Sequence, residues 1–191
     1  MELTKVSKSE WKDIKDIYVE AFPKQERKPF YMLKNSVRKG KSQIFVAKQN
    51  NLFLGFIAIT PYNDIVMVDY LAVSSKIRSS GTASKILQKI FDYYQNRKII
   101  LLIERLDENA NNSHQRIARK RFYLKNGFMS SEIFINGVSG NMEVLCWGGN
   151  ISADEYITVH SYSLGRLLFT LSRIKAVSYT HLRAHETLSD L

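Results

Sequence analysis

The chain has 191 residues, 45% hydrophobic and 24% charged, with a formal net charge of +10. This is the composition of a soluble globular domain with one core. It excludes intrinsic disorder, and no apolar run approaches the roughly 18 residues that a membrane span needs. The single cysteine, Cys146, excludes an internal disulfide. The opening Met1-Glu2-Leu3-Thr4-Lys5 lacks the apolar stretch of a secretory signal, so the expected compartment is the cytoplasm, with no membrane partner.

Residues 3–6 read as a short first strand. Ser9 is a candidate N-cap for a helix that carries Trp11, Ile14, Ile17, Tyr18, Ala21 and Phe22 on one face and ends at Pro23. A second helix is expected over residues 30–37, stopped by Gly40. Gln43–Gln49 and residues 52–60 read as strands joined by the hairpin signal Asn50-Asn51. Ile65–Val73 is a third β-branched run, interrupted by Asp69. Beyond Gly81 the period turns helical, with Ala83, Ile86, Leu87, Ile90, Phe91 and Tyr94 in one stripe. Residues 99–103 make a buried strand. The polar loop 107–112 leads to a helix over residues 113–126, closed by Gly127. Residues 129–135 and 143–147 form a final antiparallel pair, and Ser152-Ala-Asp-Glu155 is a capping box that opens a last helix. The order β, α, α, β, β, β, α, β, α, β, β, α implies an α/β sandwich around one mixed sheet.

Residues 177–187, Val-Ser-Tyr-Thr-His-Leu-Arg-Ala-His-Glu-Thr, resemble one reading frame of a transposase-type sequencing adapter and have neither helical nor strand periodicity. Residues 177–191 are therefore expected to be a non-native tail, and residues 151–176 a helical extension of a domain spanning 1–150. Without the tail, which carries Arg183 against Glu186 and Asp190, the +10 of the whole chain becomes +11. His181 and His185 leave the argument with it. His114 and His160 lack a partner at metal-binding spacing and are expected at the surface, so no metal site is expected. Cys146 lies in an apolar strand with no base beside it in sequence, the pattern of an inert buried thiol.

A strongly basic chain calls for an anionic partner, either a phosphorylated cofactor or nucleic acid. The lysines and arginines are spread along the chain with no RNA- or DNA-binding motif, so nucleic acid is not expected as the principal partner. The sharper signal is the junction between strand Ile65–Val73 and the helix after Gly81, Leu71-Ala-Val-Ser-Ser-Lys-Ile-Arg78-Ser-Ser-Gly81-Thr-Ala83. A helix N-terminus offers unpaired N–H groups and partial positive charge. Ser79, Ser80, Gly81, Thr82 and Ala83 are small enough for a ligand to approach the backbone, and Lys76 and Arg78 add charge. Two readings stand on these residues alone: a pyrophosphate cradle and an ordinary strand-to-helix turn.

Arg78-Ser-Ser-Gly81-Thr-Ala83 resembles the Arg/Gln-x-x-Gly-x-Gly/Ala signature with which the GNAT N-acetyltransferases bind acyl-CoA, and Leu71-Ala72-Val73 resembles that family's fourth strand. Phe122-Tyr-Leu-Lys-Asn-Gly-Phe128 resembles its helix-four ending, Tyr-x-Lys-x-Gly-Phe. The resemblance covers residues 1–147. It departs at Arg116, where many relatives carry Asn seven residues before the helix-four Tyr, and in the long loop 107–112.

The resemblance implies a GNAT fold: a mixed, mostly antiparallel sheet of about six to seven strands, helices on both faces, and here an added C-terminal helix. It implies an acetyltransferase domain over residues 1–150 that uses acetyl-CoA as co-substrate, without metal, as a monomer or homodimer. The acceptor would be a primary amine of a small molecule, peptide or protein. The alternative is a non-catalytic acyl-CoA sensor on the same fold. By similarity, the backbone of Leu71, Ala72 and Val73 would hold the pantetheine and polarise the carbonyl. Amides of Ser79 to Ala83 would hold the pyrophosphate, and Tyr123 would protonate the leaving sulfur. Glu104, at the end of an apolar strand, is the first candidate for general base. Asp69, Glu20, Glu26 and a water chain are the others. Asp69, in an apolar strand, needs a partner or a raised pKa.

Overall fold

At Asn50-Asn51 the chain turns back on itself with both residues at positive φ, 50° and 62°, a conformation that asparagine tolerates better than most side chains. The hairpin joins β2 (Gln43–Gln49) to β3 (Leu52–Tyr62), and a second turn at Asn63, φ 50°, leads into β4 (Ile65–Val73). The computed structural model describes residues 1–24, 26–77, 81–137, 140–165, 169–170 and 175–178. The other elements are β1 (Glu2–Lys5), α1 (Trp11–Ala21), α2 (Phe30–Arg38), α3 (Thr82–Tyr93), β5 (Lys98–Glu104), α4 (Ser113–Lys125), β6 (Met129–Gly137), β7 (Gly140–Trp147), α5 (Ala153–Leu164) and β8 (Lys175–Ser178). Their order is the one read from the sequence, with β8 added. Among the described residues no helix is long and apolar enough to cross a membrane.

The chain divides into two compact units, Met1–Leu101 with Trp147–Gly149, and Leu102–Cys146 with Asn150–Leu191. In the first unit the strands run β1-β2-β3-β4-β5, antiparallel except for the parallel pair β4–β5. Alternation along the strands gives this sheet two apolar faces. Ile44, Val46, Phe56, Ala58, Tyr70 and Ala72 pack against Ile14, Ile17 and Tyr18 of α1 and Leu33 of α2. The opposite face takes α3. Phe45 meets the Tyr93 ring edge-on at 5.4 Å, and Phe91 stacks on Trp147 at 4.2 Å. Each large apolar side chain buried this way contributes about 1.5–3 kcal/mol, which holds α1 and α3 to their faces.

Two irregularities in this sheet matter for function. The β3–β4 register passes from Ala58↔Tyr70 to Ile59↔Val68, which leaves Asp69 as an extra, bulged residue on β4. The parallel ladder with β5 ends just before it, at Val68↔Leu101. Past the bulge β4 runs close against β3. A Cβ on Gly55 would lie 2.4 Å from the Ala72 carbonyl oxygen, so only glycine fits there.

In the second unit β6 pairs antiparallel with β7 and with β8. β8 takes in Val177 and Ser178, opposite Phe134 and Ile133. These two residues open the segment that the sequence sets apart as a tail. The rest of it, 179–191, lies outside the described residues. The capping box at Ser152 is formed: its N–H donates to Glu155 at 2.7 Å, and the Glu155 N–H donates to its hydroxyl at 3.2 Å. The first helix starts differently from expectation. A 3-10 turn at Lys8–Glu10 precedes α1, and Ser7, not Ser9, closes it through an N–H bond to the Glu10 carboxylate at 2.6 Å.

Candidate functional site

In the first unit the site is built at the end of β4 and the start of α3. The Ser74 N–H donates to the Leu54 carbonyl at 2.9 Å, and a 3-10 turn at Ser75–Ile77 follows. The Glu20 carboxylate of α1 accepts the Ser75 N–H at 3.2 Å, tying this turn to the helix beside it. Glu20 is thus engaged with the loop backbone. Arg78, Ser79 and Ser80 lie outside the described residues. The chain re-enters at Gly81, which caps α3 in a left-handed conformation, φ 75°, with open space where a Cβ would stand.

Lys85 N–H to Gly81 carbonyl, 3.1 Å, is the first bond of the helix described, so the amides of Thr82, Ala83 and Ser84 precede any acceptor inside α3. The first turn holds no acidic residue, and Lys76 and Lys85 are exposed on either side. The arrangement suits an anion. Upstream, Leu71, Ala72 and Val73 pair with Ile57, Phe56 and Gly55 on the β3 side. Their other edge has no strand partner within this unit among the described residues, so their main-chain groups are available to an extended ligand.

Asp69, a candidate base, is fully engaged. The bulge turns it and Tyr70 to the same face, beneath the segment between α1 and α2. There Asp69 accepts from Lys28 Nζ at 3.0 Å and from the Thr60 hydroxyl at 2.6 Å. The Thr60 hydroxyl, fully buried, also pairs with Ser42 at 3.1 Å, which pairs with Ser36 at 2.7 Å. Two tyrosines clamp the main chain of the same lysine. Tyr18 Oη donates to its carbonyl at 2.9 Å, and its N–H donates to Tyr70 Oη at 3.0 Å. Burial is the largest single influence on Lys28 and acts to lower its pKa, but the charge and hydrogen bond of Asp69, together with Tyr70, outweigh it and hold the ammonium above its usual range. Burial pushes the Tyr18 phenol far up. Glu26 is exposed, and its carbonyl accepts from Tyr70 Oη at 3.3 Å. The sequence pointed to a partner for Asp69 but could not name Lys28, 41 residues away.

The second unit holds Tyr123 and Glu104. The Phe128 N–H bonds the Tyr123 carbonyl at 3.1 Å and the Gly127 N–H bonds the Leu124 carbonyl at 3.0 Å, with Gly127 at φ 85°. These are the two bonds of a Schellman ending. The Tyr123 and Phe128 rings meet edge-on, 5.5 Å apart, as its hydrophobic contact. The spacing Tyr-x-x-x-Gly-Phe is thus a helix stop that fixes a tyrosine ring. Phe122 packs on its other side at 5.0 Å. The hydroxyl itself makes no hydrogen bond among the described residues. Burial pushes the phenol up to about 12, with the Arg119 charge pulling the other way. It is fully protonated at neutral pH.

Glu104 accepts from Asn112 Nδ2 at 3.0 and 3.2 Å and from Arg119 Nη1 at 2.8 Å, and pairs with Arg116 Nη2 at 3.3 Å. Arg116, the departure from the family pattern, also donates to the Asn112 side chain at 2.8 Å and to the Arg105 carbonyl at 2.9 Å. It closes the long loop between β5 and α4. Cys146 is buried, as its strand pattern implied, and His114 is exposed. His160 differs from expectation: it is half-buried, stacks on Tyr156 and bonds its hydroxyl through Nδ1 at 3.2 Å.

Residues 40–130 match the family model described as acetyltransferase (GNAT) domain. The YjbC protein of Bacillus subtilis (strain 168) is 24% identical over 160 residues, 75% of this chain and 79% of that protein. A GNAT-family protein from Bacteroides thetaiotaomicron superposes with a TM-score of 0.67 at 19% identity, covering 88% of this chain and 98% of that one. An aminoglycoside 6′-N-acetyltransferase solved with coenzyme A does so with a TM-score of 0.59 at 12% identity, over 76% and 96%. The fold is that of the GNAT acetyltransferases, and residues 40–130 match that family's domain.

Proposed function

We propose that the protein transfers the acetyl group of acetyl-CoA to a primary amine of a small molecule or protein. The observation that carries this reading is Tyr123: a phenol fixed by a Schellman ending, protonated at neutral pH, with its hydroxyl unbonded among the described residues. A ring needed only for packing would serve as well without the hydroxyl. The main-chain edge of Leu71, Ala72 and Val73 would hold the pantetheine. The start of α3, with Arg78, Ser79, Ser80, Gly81, Thr82 and Ala83, would hold the pyrophosphate.

In the reaction a neutral amine attacks the thioester carbonyl carbon. The new C–N bond forms, the C–S bond breaks, and the sulfur leaves with the electron pair. The amine gives up one proton to water or a base, and Tyr123 hydrogen-bonds to the sulfur and supplies its proton. A phenolate reprotonates from solvent, leaving amide and free CoA thiol. Glu104 serves better as a positioning residue than as a base, because Asn112, Arg116 and Arg119 crowd both of its oxygens, and the Asp69 carboxylate is tied to the Lys28 ammonium. Water is left as the acceptor of the amine proton.

The test is a thiol-release screen with acetyl-CoA against polyamines, amino acids, aminoglycosides and peptides. We expect turnover with at least one amine, and a loss of about 10²–10⁴-fold in kcat for Tyr123→Phe. Tight CoA binding with no thiol release for any amine would overturn the proposal in favour of an acyl-CoA sensor.

A further inference from the structure

Among the described residues the half-buried cations are paired. Lys48 meets the Glu10 carboxylate at 2.6 Å, Lys120 meets Glu143 at 2.7 Å, Arg119 meets Glu104 at 2.8 Å, and the Arg105 guanidinium lies over the Phe134 ring at 4.5 Å. Arg27 is the exception. It is half-buried, yet its side chain makes no hydrogen bond or ion pair among the described residues. Partly burying a charge costs hydration, which a fold ordinarily recovers through a partner. We propose that Arg27 is a specificity-determining residue that binds a carboxylate of the acceptor, so that the acceptor is an amine that also carries a carboxylate. This rests on the reading of the protein as an acetyltransferase.

The segment between α1 and α2 holds Arg27 in place. Tyr70 Oη donates to the Glu26 carbonyl at 3.3 Å and accepts the Lys28 N–H at 3.0 Å, so one hydroxyl grips the main chain on both sides of Arg27. Tyr18 Oη donates to the Lys28 carbonyl at 2.9 Å, and the Lys28 ammonium donates to Asp69 at 3.0 Å. A backbone ordered in advance lowers the entropy lost when its side chain takes a ligand. Tyr70 also sets the place. It is the residue before Leu71, where the main-chain edge of β4 begins. An amine that attacks a thioester held along Leu71, Ala72 and Val73 arrives beside this segment.

The surroundings select the kind of acceptor. A polycation such as a polyamine needs carboxylates that are not already engaged. Those joined to β4 and the turn after it are taken: Asp69 by Lys28 and Thr60, and Glu20 by the Ser75 N–H. Glu26, beside Arg27, is also engaged within the protein. What the segment offers is a guanidinium, charged at all working pH values, whose planar fork matches a carboxylate through two parallel N–H bonds. The net charge of +10 favours an anionic group in the same sense.

The test compares acceptors with and without a carboxylate in the thiol-release assay: phenylalanine against phenethylamine, lysine against 1,5-diaminopentane, and peptides with Asp against Asn beside the N-terminal amine. Wild type should favour the carboxylate-bearing member by about tenfold or more in kcat/KM. Arg27→Gln removes the charge and should abolish that preference, with Tm and the KM for acetyl-CoA unchanged. Arg27→Lys should keep part of it. Equal rates within the pairs overturn the proposal, as does a preference that survives in Arg27→Gln. A raised KM for acetyl-CoA in that variant would make Arg27 a ligand of the CoA phosphates and refute it too. A second readout needs no turnover. The Arg27 Nε–Hε signal in ¹⁵N NMR, assigned by its loss in Arg27→Lys, should shift when wild type with CoA is titrated with glutamate. An unmoved signal overturns the proposal. Should wild type release no thiol with any amine, the acetyltransferase reading fails, and the glutamate titration still decides for or against the carboxylate site.

Discussion

Asp69→Ala removes the carboxylate from the β4 bulge. The side chain is 6% exposed and holds two partners, Lys28 Nζ at 3.0 Å and the Thr60 hydroxyl at 2.6 Å. Removing one member of a buried pair costs about 3–5 kcal/mol when the survivor is trapped without water. Lys28 is 28% exposed and can reach solvent, and Thr60 keeps Ser42, so neither is stranded completely. The expected loss is therefore about 2–3 kcal/mol, in line with roughly 1.5–3 kcal/mol for hydrogen bonds to a charged group. For a domain of this size about 2–4 °C of Tm accompanies each kcal/mol. Urea denaturation of wild type, Asp69→Ala, Lys28→Met and the double variant closes a cycle. The two changes should be coupled by at least about 1 kcal/mol. A single-variant loss under about 1 kcal/mol, or strict additivity, would refute the claim that this pair pins the α1–α2 segment. The pH dependence has a definite sign. The Lys28 pKa is raised in the fold, so its contribution is complete below its unfolded pKa, near 10.5, and fades as pH rises through the higher folded value.

Gly81→Glu should weaken CoA binding by more than about tenfold in calorimetry, equivalent to about 1.4 kcal/mol, since it sets a carboxylate at the α3 N-terminus. Gly81→Ala isolates the strain of the left-handed cap, about 1–2 kcal/mol, and should keep most of the affinity. Glu10 is expected to support stability above its unfolded pKa and to lose that support as pH falls through its folded value. Burial alone would raise that value, but the Lys48 ammonium at 2.6 Å and the Ser7 N–H bring it below 4.5. Glu10→Gln should flatten the acid limb of a Tm-versus-pH curve, and an unchanged limb would count against the pair. Deleting residues 179–191 should move Tm by about a degree or less, as expected if this segment is the non-native tail that its sequence resembles. Extending the deletion to Lys175 removes β8 from the edge of β6 and should lower Tm further.

The fold was legible because its signals are local. Asn50-Asn51, the stripe from Ile86 to Phe91, Gly127 and the Ser152 box each specify an element from within a few residues. β8 escaped because four residues at a sheet edge need no period of their own; the exposed edge of β6 supplies the register. The site was legible in part. Gly81 and Tyr123 could be picked out because each sits in a short motif that resembles the family's, and the structure adds that one is a left-handed cap and the other part of a Schellman ending. What failed to show was pairing across sequence distance. Nothing near Asp69 marks Lys28, and nothing near Glu104 marks Arg119. An acidic residue in an apolar strand announces that a cation is needed, not which one arrives. That ambiguity is why Glu104 stood from sequence as one candidate base among several, with no sign that Asn112, Arg116 and Arg119 meet its oxygens.

The same geometry explains how one short motif can be both structural and chemical. The Schellman ending must place a large side chain three residues before the cap, to meet Phe128. Phenylalanine would satisfy that contact. Tyrosine satisfies it and adds a hydroxyl, which makes no hydrogen bond among the described residues. Burial of the ring moves the phenol still further above neutral pH, to about 12. Tyr123→Phe therefore separates the two roles in one substitution. Thermal stability should hold, because the Phe128 contact is retained, and turnover should fall. A drop in stability matching the drop in activity would mean that the hydroxyl is part of the fold and not of the reaction.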